Sequence, residues 1–253
     1  MKVLVASSLA MSVAALASAA TVNLTFDGFG AGLSMRLNYA ANNHYSAANR
    51  TTGGVIAARE HLFTNTGNGA TMANYCVQVF ESVSPGNTYA YDVVTVENVP
   101  DFPPGPGPMG ALRAELMRNM YGRFYSQVKD GTDNVKSAAF AMLVWEISHE
   151  NLTGAGATAK DVLDNLAINV SLGAFQASGS ATLSGDQLAA FNQAQSWIAT
   201  MVADSSTMRT YGIYGLTNPS AQDHIGVVVP VPAPALLAGL GLVGVLSGRR
   251  RSR

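Results

Sequence analysis

Charged residues are scarce in this chain, and cysteine is almost absent. Only 12% of the 253 residues are Asp, Glu, Lys or Arg, whereas 48% are hydrophobic. This composition supports a sizeable buried core and argues against a disordered chain, which needs low hydrophobicity and high charge. The length suffices for one or two ordinary domains.

The single cysteine, Cys76, excludes a disulfide within the chain. A lone thiol in an exported protein is buried, paired with another chain or chemically used. Burial as a small apolar residue is the simplest of these states. The sequence leaves all three open, so Cys76 is a candidate reactive thiol.

Familiar catalytic and cofactor-binding fingerprints are missing. The sequence has no G-x-S-x-G, P-loop or Rossmann glycine pattern.

Glu146 and Glu150 are candidate functional residues because paired carboxylates can perform acid–base chemistry or bind calcium. They lie four residues apart on a predicted helix, where we expect a solvated surface. We predict a protein that is not an enzyme and holds no cofactor or metal. The four histidines lack metal-ligand spacing: His44, His61, His149 and His224.

The first 19 residues have the features of a secretory signal peptide. Lys2 precedes an apolar stretch that is too short for a comfortable membrane span. Ala17 and Ala19 are the two small residues of a small-x-small cleavage site. We therefore predict a cleaved export signal over residues 1–19.

The C-terminal residues 229–253 have three parts in a fixed order. Prolines at 230, 232 and 234 predict an exposed, extended linker. An apolar run of 12 residues, 235–246, follows and is short for a full bilayer. The arginines after it should stay on the cytoplasmic side. This order predicts an apolar helix that holds the exported protein at the membrane while an enzyme cuts near the prolines.

This tail resembles the PEP-CTERM class of sorting signals, in its Val-Pro-x-Pro-Ala variants. The resemblance implies recognition by an exosortase-type membrane protease of Gram-negative bacteria that make exopolysaccharide. The usual Glu between the prolines is Ala233 here. The residues of the predicted signal are Val231, Pro232, Ala233, Pro234, Ala235, Arg249, Arg250 and Arg251.

Residues 20–228 read as strands, then helices, then strands, which predicts one α+β domain whose last strand closes back onto the first sheet. Residues 22–26 and 34–39 are expected to pair. Residues 75–83 and 88–99 are expected to form a hairpin across the Ser-Pro-Gly-Asn turn between them. Apolar periodicity and composition predict helices within 112–128, 135–149, 158–168 and 184–202, followed by strands at 211–216 and 225–229.

Three short motifs carry a second resemblance: Tyr75-Cys76-Val77, residues 140–147 (FAMLVWEI) and residues 218–224 (NPSAQDH). They resemble thioester-domain-like domains found in many proteins with this sorting tail. The resemblance implies a β-sheet or barrel-like region with an inserted helical subdomain. Related domains join a Cys to a Gln side chain as an internal thioester, which an amine can attack.

The thioester glutamine of that pattern sits four residues before the tryptophan. Here this position is Ala141, which has no carboxamide to form the bond. We therefore interpret Cys76 as part of an inherited scaffold and Trp145 as a core residue.

Charge bears on the partners of the exported chain. Without the five basic residues of the terminal signals, the chain has 10 basic and 16 acidic residues, which gives a net charge of about −6. An acidic domain repels phosphate backbones, which argues against nucleic-acid binding.

The sequence as a whole predicts a structural or adhesive protein of the bacterial envelope or exopolysaccharide matrix. Its expected partners are the exosortase-type protease, the inner membrane transiently, and exopolysaccharide or surface proteins. It would be a membrane-tethered precursor first, then a cell-surface or extracellular protein. Two alternatives stay open: a covalent adhesin that uses Cys76, and a secreted polysaccharide hydrolase that uses Glu146 and Glu150.

Overall fold

The computed structural model describes residues 20–39, 54–79, 81–100, 108–177, 183 and 185–227. The predicted signal peptide, with Ala17 and Ala19, lies outside the described residues. So do His44 and all of the sorting tail, including its predicted apolar helix. Those assignments stay predictions.

Within the described residues the chain forms seven strands and four α-helices. The strands are β1 (Ala20–Tyr39), β2 (Gly54–Asn65), β3 (Thr71–Cys76), β4 (Thr88–Val94), β5 (Phe175–Gln176), β6 (Ile213–Thr217) and β7 (His224–Val227). The helices are α1 (Gly110–Phe124), α2 (Asn134–His149), α3 (Ala159–Asp164) and α4 (Asp186–Ala203). All four helices stand between β4 and β6 in sequence, which confirms the predicted α+β class. None of these helices has the length and apolar character needed to cross a membrane.

Six of the strands pair antiparallel in an order that closes on itself. β1 pairs with β2 and β4, β2 with β3, β3 with β7, β7 with β6, and β6 with β4. β1 reaches both β2 and β4 because residues 20–25 pair with β4 while residues 24–37 pair with β2, and its last two residues pair with β5. The last strand, β7, lies between β3 and β6. The prediction that it closes back onto the first sheet is therefore confirmed.

Two predicted strand pairings are wrong. Residues 22–26 and 34–39 belong to the same long strand, β1, and so cannot pair with each other. Residues 75–83 and 88–99 do not form a hairpin, because β3 pairs with β2 and β7 whereas β4 pairs with β1 and β6. The turn between them does exist, since Gly86 has a φ of 82° and Asn87 N donates to Ser84 O at 3.2 Å. Turn chemistry is local, and it does not determine which strands become neighbours.

Two irregularities in the pairing of β1 with β2 bend the long strand. Gly28 and Gly32 stand there with φ values of 137° and 142°. A Cβ atom on Gly32 would lie 2.2 Å from the carbonyl oxygen of Ala58. Glycine is therefore required at position 32, where a side chain would collide with the backbone of β2.

The apolar core has two parts. The smaller part joins residues of the closed sheet: Leu24, Phe26, Phe63, Tyr91, Tyr214 and Leu216. The larger part lies between the sheet and the helices and is centred on α2, which packs against β1, β2 and β3. Every α2 residue from Ser137 to His149 is buried, as expected for a helix that is apolar nearly all round. Asp133 caps α2 by accepting a hydrogen bond from Lys136 N at 2.9 Å.

Candidate functional site

Cys76 occupies the last position of β3, directly across from His224 on β7. Its side chain is buried, and burial raises the pKa of the thiol to about 12, although the nearby Trp145 indole acts in the opposite direction. The thiol is therefore protonated at neutral pH, whereas the thiolate is the reactive form.

Trp145 ties α2 to the end of β3. Its Nε1 donates a hydrogen bond to the carbonyl oxygen of Cys76 at 2.9 Å. One turn further along, Ser148 Oγ donates to Val77 O at 2.9 Å. Trp145 is fully buried, which confirms its prediction as a core residue. The two motifs quoted from β3 and α2 thus meet in space.

The carboxamide that a thioester would need is missing from this contact. Ala141 precedes Trp145 by one helical turn and is buried, with only a methyl side chain. Gln78 Nε2 donates to Glu81, and Gln222 Nε2 donates to Gln78 O at 2.7 Å. Both nearby amides are therefore engaged in bonds that shape the segment after β3.

Cys76 also lines a cavity of about 200 Å³. The cavity opens where β1, the start of β2, the segment after β3 and the turn before β7 meet. Its polar lining is formed by His61, Cys76, Glu81, Ser82 and Gln222. Apolar side chains form the remaining wall, among them Phe29, which is 48% exposed, and Val55, which is 61% exposed. In the described part of the chain, this cavity brings an imidazole, a thiol, a carboxylate, a hydroxyl and an amide together around an open space.

A buried pair of histidines lies against this cavity. His61 Nδ1 and His224 Nε2 are 2.8 Å apart, so one nitrogen donates a hydrogen bond and the other accepts it. Aromatic rings surround the pair: Phe26, Phe29, Phe63 and Tyr91. Burial lowers the pKa of His61 to about 3. Burial, with repulsion from His61, places the pKa of His224 well below its ordinary value. Both rings are therefore neutral at neutral pH.

Sequence reasoning examined these histidines only as metal ligands and missed their contact. They lie 163 residues apart, and the closure of β7 against β3 brings them together. In the described residues, no group of three or more His, Cys, Asp and Glu side chains is placed to hold a metal ion.

The prediction that Glu146 and Glu150 lie on a solvated helix surface is wrong. Glu146 is fully buried and Glu150 is only 4% exposed, because the segment after α2 folds back over the end of the helix. Glu146 Oε1 accepts from Asn169 N at 2.7 Å, and Glu150 accepts from Ala174 N at 2.9 Å. Burial, with the Glu150 charge, raises the pKa of Glu146 well above its ordinary value. The pair organises this segment and does not line the cavity.

No family model matches the chain, and no curated protein or solved structure matches it.

Proposed function

We propose that this chain is an exported bacterial protein, processed at both ends, that acts without catalysis as a structural or adhesive component of the envelope or exopolysaccharide matrix. The observation that carries the proposal is the order of features in residues 229–253, behind an N-terminal signal peptide. In this proposal the spaced prolines provide the cutting site, the short apolar run a temporary membrane tether and the arginine cluster a cytoplasmic stop.

The body of the protein is proposed to be a thioester-domain-like scaffold that has lost the bond-forming residue. The hydrogen bond from Trp145 to Cys76 supports this relationship, because it joins the two motifs on which the resemblance rests. The insertion of all described helices between β4 and β6 also agrees with it. Ala141 stands at the position of the missing carboxamide.

The proposal of a non-catalytic role draws on the state of the groups that could react. The Cys76 thiol is buried and protonated at neutral pH. Glu146 and Glu150 accept bonds from backbone amides in the interior, so a polysaccharide chain has no access between them. A glycoside hydrolase needs its two carboxyl groups on either side of the scissile bond. The hydrolase alternative therefore lacks a suitable pair among the carboxylates that the sequence offered for it.

Intact mass spectrometry of the protein from culture supernatant and from washed envelopes tests the routing. We expect a species that begins near Ala20 and ends near Pro234, without the arginine tail. Replacing Arg249, Arg250 and Arg251 by Gln should prevent this processing, whereas the control Arg209→Gln should not. A chain that retains Arg253 and is found only in membranes would contradict the proposal, because the tail would then be a simple anchor.

A covalent adhesin is the second candidate, favoured by the location of Cys76 on the wall of an open cavity. In that case Cys76 Sγ would bond to a carboxamide carbon and release ammonia, so the intact mass would fall by one ammonia. An added amine would open the thioester and raise the mass by one amine molecule. We expect neither change, since Ala141 supplies no carboxamide and both Gln78 and Gln222 are held by other bonds.

A further inference from the structure

The cavity beside Cys76 has two chemically different sides. One side carries groups that donate and accept hydrogen bonds, including Glu81, Ser82 and Gln222. The other side is apolar and includes Ile56, Val79 and Phe29. Its volume of about 200 Å³ is well above the roughly 10–15 Å³ that a single water molecule needs, so the space admits a ligand of several heavy atoms. A compact ligand with an apolar face and a rim of hydroxyl groups matches the lining.

Phe29 provides a fixed aromatic surface on the apolar side. Its ring meets Phe26 at 5.4 Å and His61 at 5.0 Å, each at 77° between the ring planes. These edge-to-face contacts fix the orientation of the ring while 48% of the residue remains exposed. The face of an aromatic ring carries partial negative charge and attracts the partly positive hydrogens of C–H groups. One face of a pyranose ring presents such C–H groups.

The polar side is also held in place. Gln222 Nε2 donates to Gln78 O at 2.7 Å, and Gln78 Nε2 donates to Glu81. These bonds fix the amide and the carboxylate before a ligand arrives, which reduces the entropy lost on binding. A carboxylate accepts hydrogen bonds from hydroxyl groups and repels anions. Among the described residues that line the cavity, none is a lysine or an arginine.

We propose that this cavity binds one neutral pyranose unit of a polysaccharide, with the sugar's C–H face on Phe29 and its hydroxyl groups on Glu81, Ser82 and Gln222. The assignment rests on the proposed function and deepens it, because it gives the matrix protein a ligand class. Anionic sugars are disfavoured by Glu81, and a linear amine would leave most of the apolar wall uncovered.

The mature protein, purified after processing, contains its own reporter of ligand binding. Cys76 is its single thiol and lines the cavity, so a bound sugar should slow alkylation of that thiol by iodoacetamide. Alkaline buffer is required because burial raises the pKa of the thiol. Glucose, galactose and mannose are the probes, with glucuronate and butylamine as comparisons. Saturation-transfer NMR on the same mixtures reports sugar binding without reference to the cysteine.

We expect at least one neutral hexose to slow alkylation about tenfold at about ten times its Kd. Phe29→Ala should weaken that hexose about tenfold, since it removes the aromatic face. Phe29→Tyr should retain binding. Val55→Trp, at a 61% exposed position, should fill the cavity and block both readouts. The matched control Leu172→Ala, at a 64% exposed leucine outside the cavity, should change neither.

Several results would overturn the assignment: no hexose protects Cys76 or shows saturation transfer, butylamine protects and hexoses do not, or Val55→Trp leaves sugar binding intact. The routing proposal is judged separately by intact mass. If the protein is processed at both ends but binds no sugar, only the cavity assignment is wrong. If it binds sugar but retains its arginine tail, only the routing proposal is wrong.

Discussion

The indole nitrogen of Trp145 donates a hydrogen bond to the carbonyl oxygen of Cys76 across 2.9 Å, and both residues are buried. The bond satisfies a main-chain acceptor at the last position of β3, where the ladder with β7 also ends. It couples the core helix to the strand that forms the wall of the cavity. Removing the donor leaves a buried carbonyl without its partner, which is costlier than the loss of an exposed bond.

We expect Trp145→Phe to lower the free energy of unfolding by about 2–4 kcal/mol, from the lost bond and the space left by the smaller ring. Trp197→Phe is the matched control, because Trp197 is also buried and stacks on Phe124, and its indole has no hydrogen bond among the described residues. Urea denaturation of both variants measures the difference. Equal losses would mean that the bond to Cys76 adds nothing beyond ring volume.

The neutral histidine pair predicts that the folded protein loses stability as the pH falls. Both imidazoles have folded pKa values below the ordinary 6.5, that of His61 at about 3. The stability they contribute is present above pH 6.5. It is lost as the pH falls from there through the folded values, because only the unfolded chain takes up the protons. The expected slope is about 1.4 kcal/mol per pH unit for each imidazole.

The double variant His61→Gln/His224→Gln should lose this pH dependence. Urea unfolding of wild type and variant between neutral pH and pH 4 isolates the contribution, because the buried carboxyl groups are common to both chains. The two curves should converge as the pH falls, even though the variant is less stable at neutral pH. Curves that stay parallel would show that the pair does not titrate between the folded and unfolded states.

Glu146 predicts a pH dependence of stability that is opposite in sign to that of the histidine pair. Burial raises its folded pKa above the ordinary 4.5. The stability gained from the neutral form is present below pH 4.5 and is lost as the pH rises through the folded pKa, since the unfolded chain releases its proton first. Glu146→Gln keeps an oxygen for Asn169 N and cannot ionise. The variant should match wild type near pH 4 and become relatively more stable above it, by about 1.4 kcal/mol per pH unit.

Glu97→Gln is the control for this titration. Glu97 is 31% exposed in its side chain and pairs with Arg118. Desolvation is the largest single influence on the pKa of Glu97 and raises it, but the hydrogen bonds to the carboxylate, among them that from Arg118, together outweigh it and leave the pKa lowered. The same denaturation series should show no growing advantage for this variant as the pH rises. An advantage equal to that of Glu146→Gln would mean that general charge removal explains both.

Local patterns predicted the helices well. α2 was expected at 135–149 and forms at Asn134–His149, because a continuous apolar segment of that length has few other ways to satisfy its backbone in a core. The α4 prediction, 184–202, is close to Asp186–Ala203 for a related reason. In both cases the information lies within a few helical turns of sequence.

Apart from the return of the last strand to the first sheet, the strand partners and the cavity could not be predicted from local patterns. β2 gave no clear sequence signal, and its pairing with both β1 and β3 completes the closed order. The contact of His61 with His224 depends on that closure. The burial of Glu146 depends on a segment more than 20 residues later, which folds over the helix end. Long-range pairing is decided by the whole chain, and a single sequence contains no local record of it.

Arg123 joins α1 to the segment that follows α4. Its Nε donates to Asn119 Oδ1 at 2.9 Å, and its Nη1 donates to Asp204 Oδ2 at 2.9 Å. Its Nη2 donates to the carbonyl oxygens of Asp204 and Thr207. The Arg123 side chain is only 3% exposed, so its guanidinium depends on these acceptors; Asn119 is fully buried, whereas the side chain of Asp204 is 43% exposed.

Arg123→Lys should therefore destabilise the protein despite keeping the charge, by about 2–4 kcal/mol, because an ammonium cannot reproduce the planar fork of donors. Asp204→Asn should cause a smaller loss, since Asp204 is 43% exposed and its backbone carbonyl continues to accept from Arg123. Denaturant unfolding of the two variants and of the wild type measures the loss in the free energy of unfolding for each. If the aspartate variant were the more damaging, the ion pair itself, rather than the backbone acceptors, would be what holds the segment after α4 to α1.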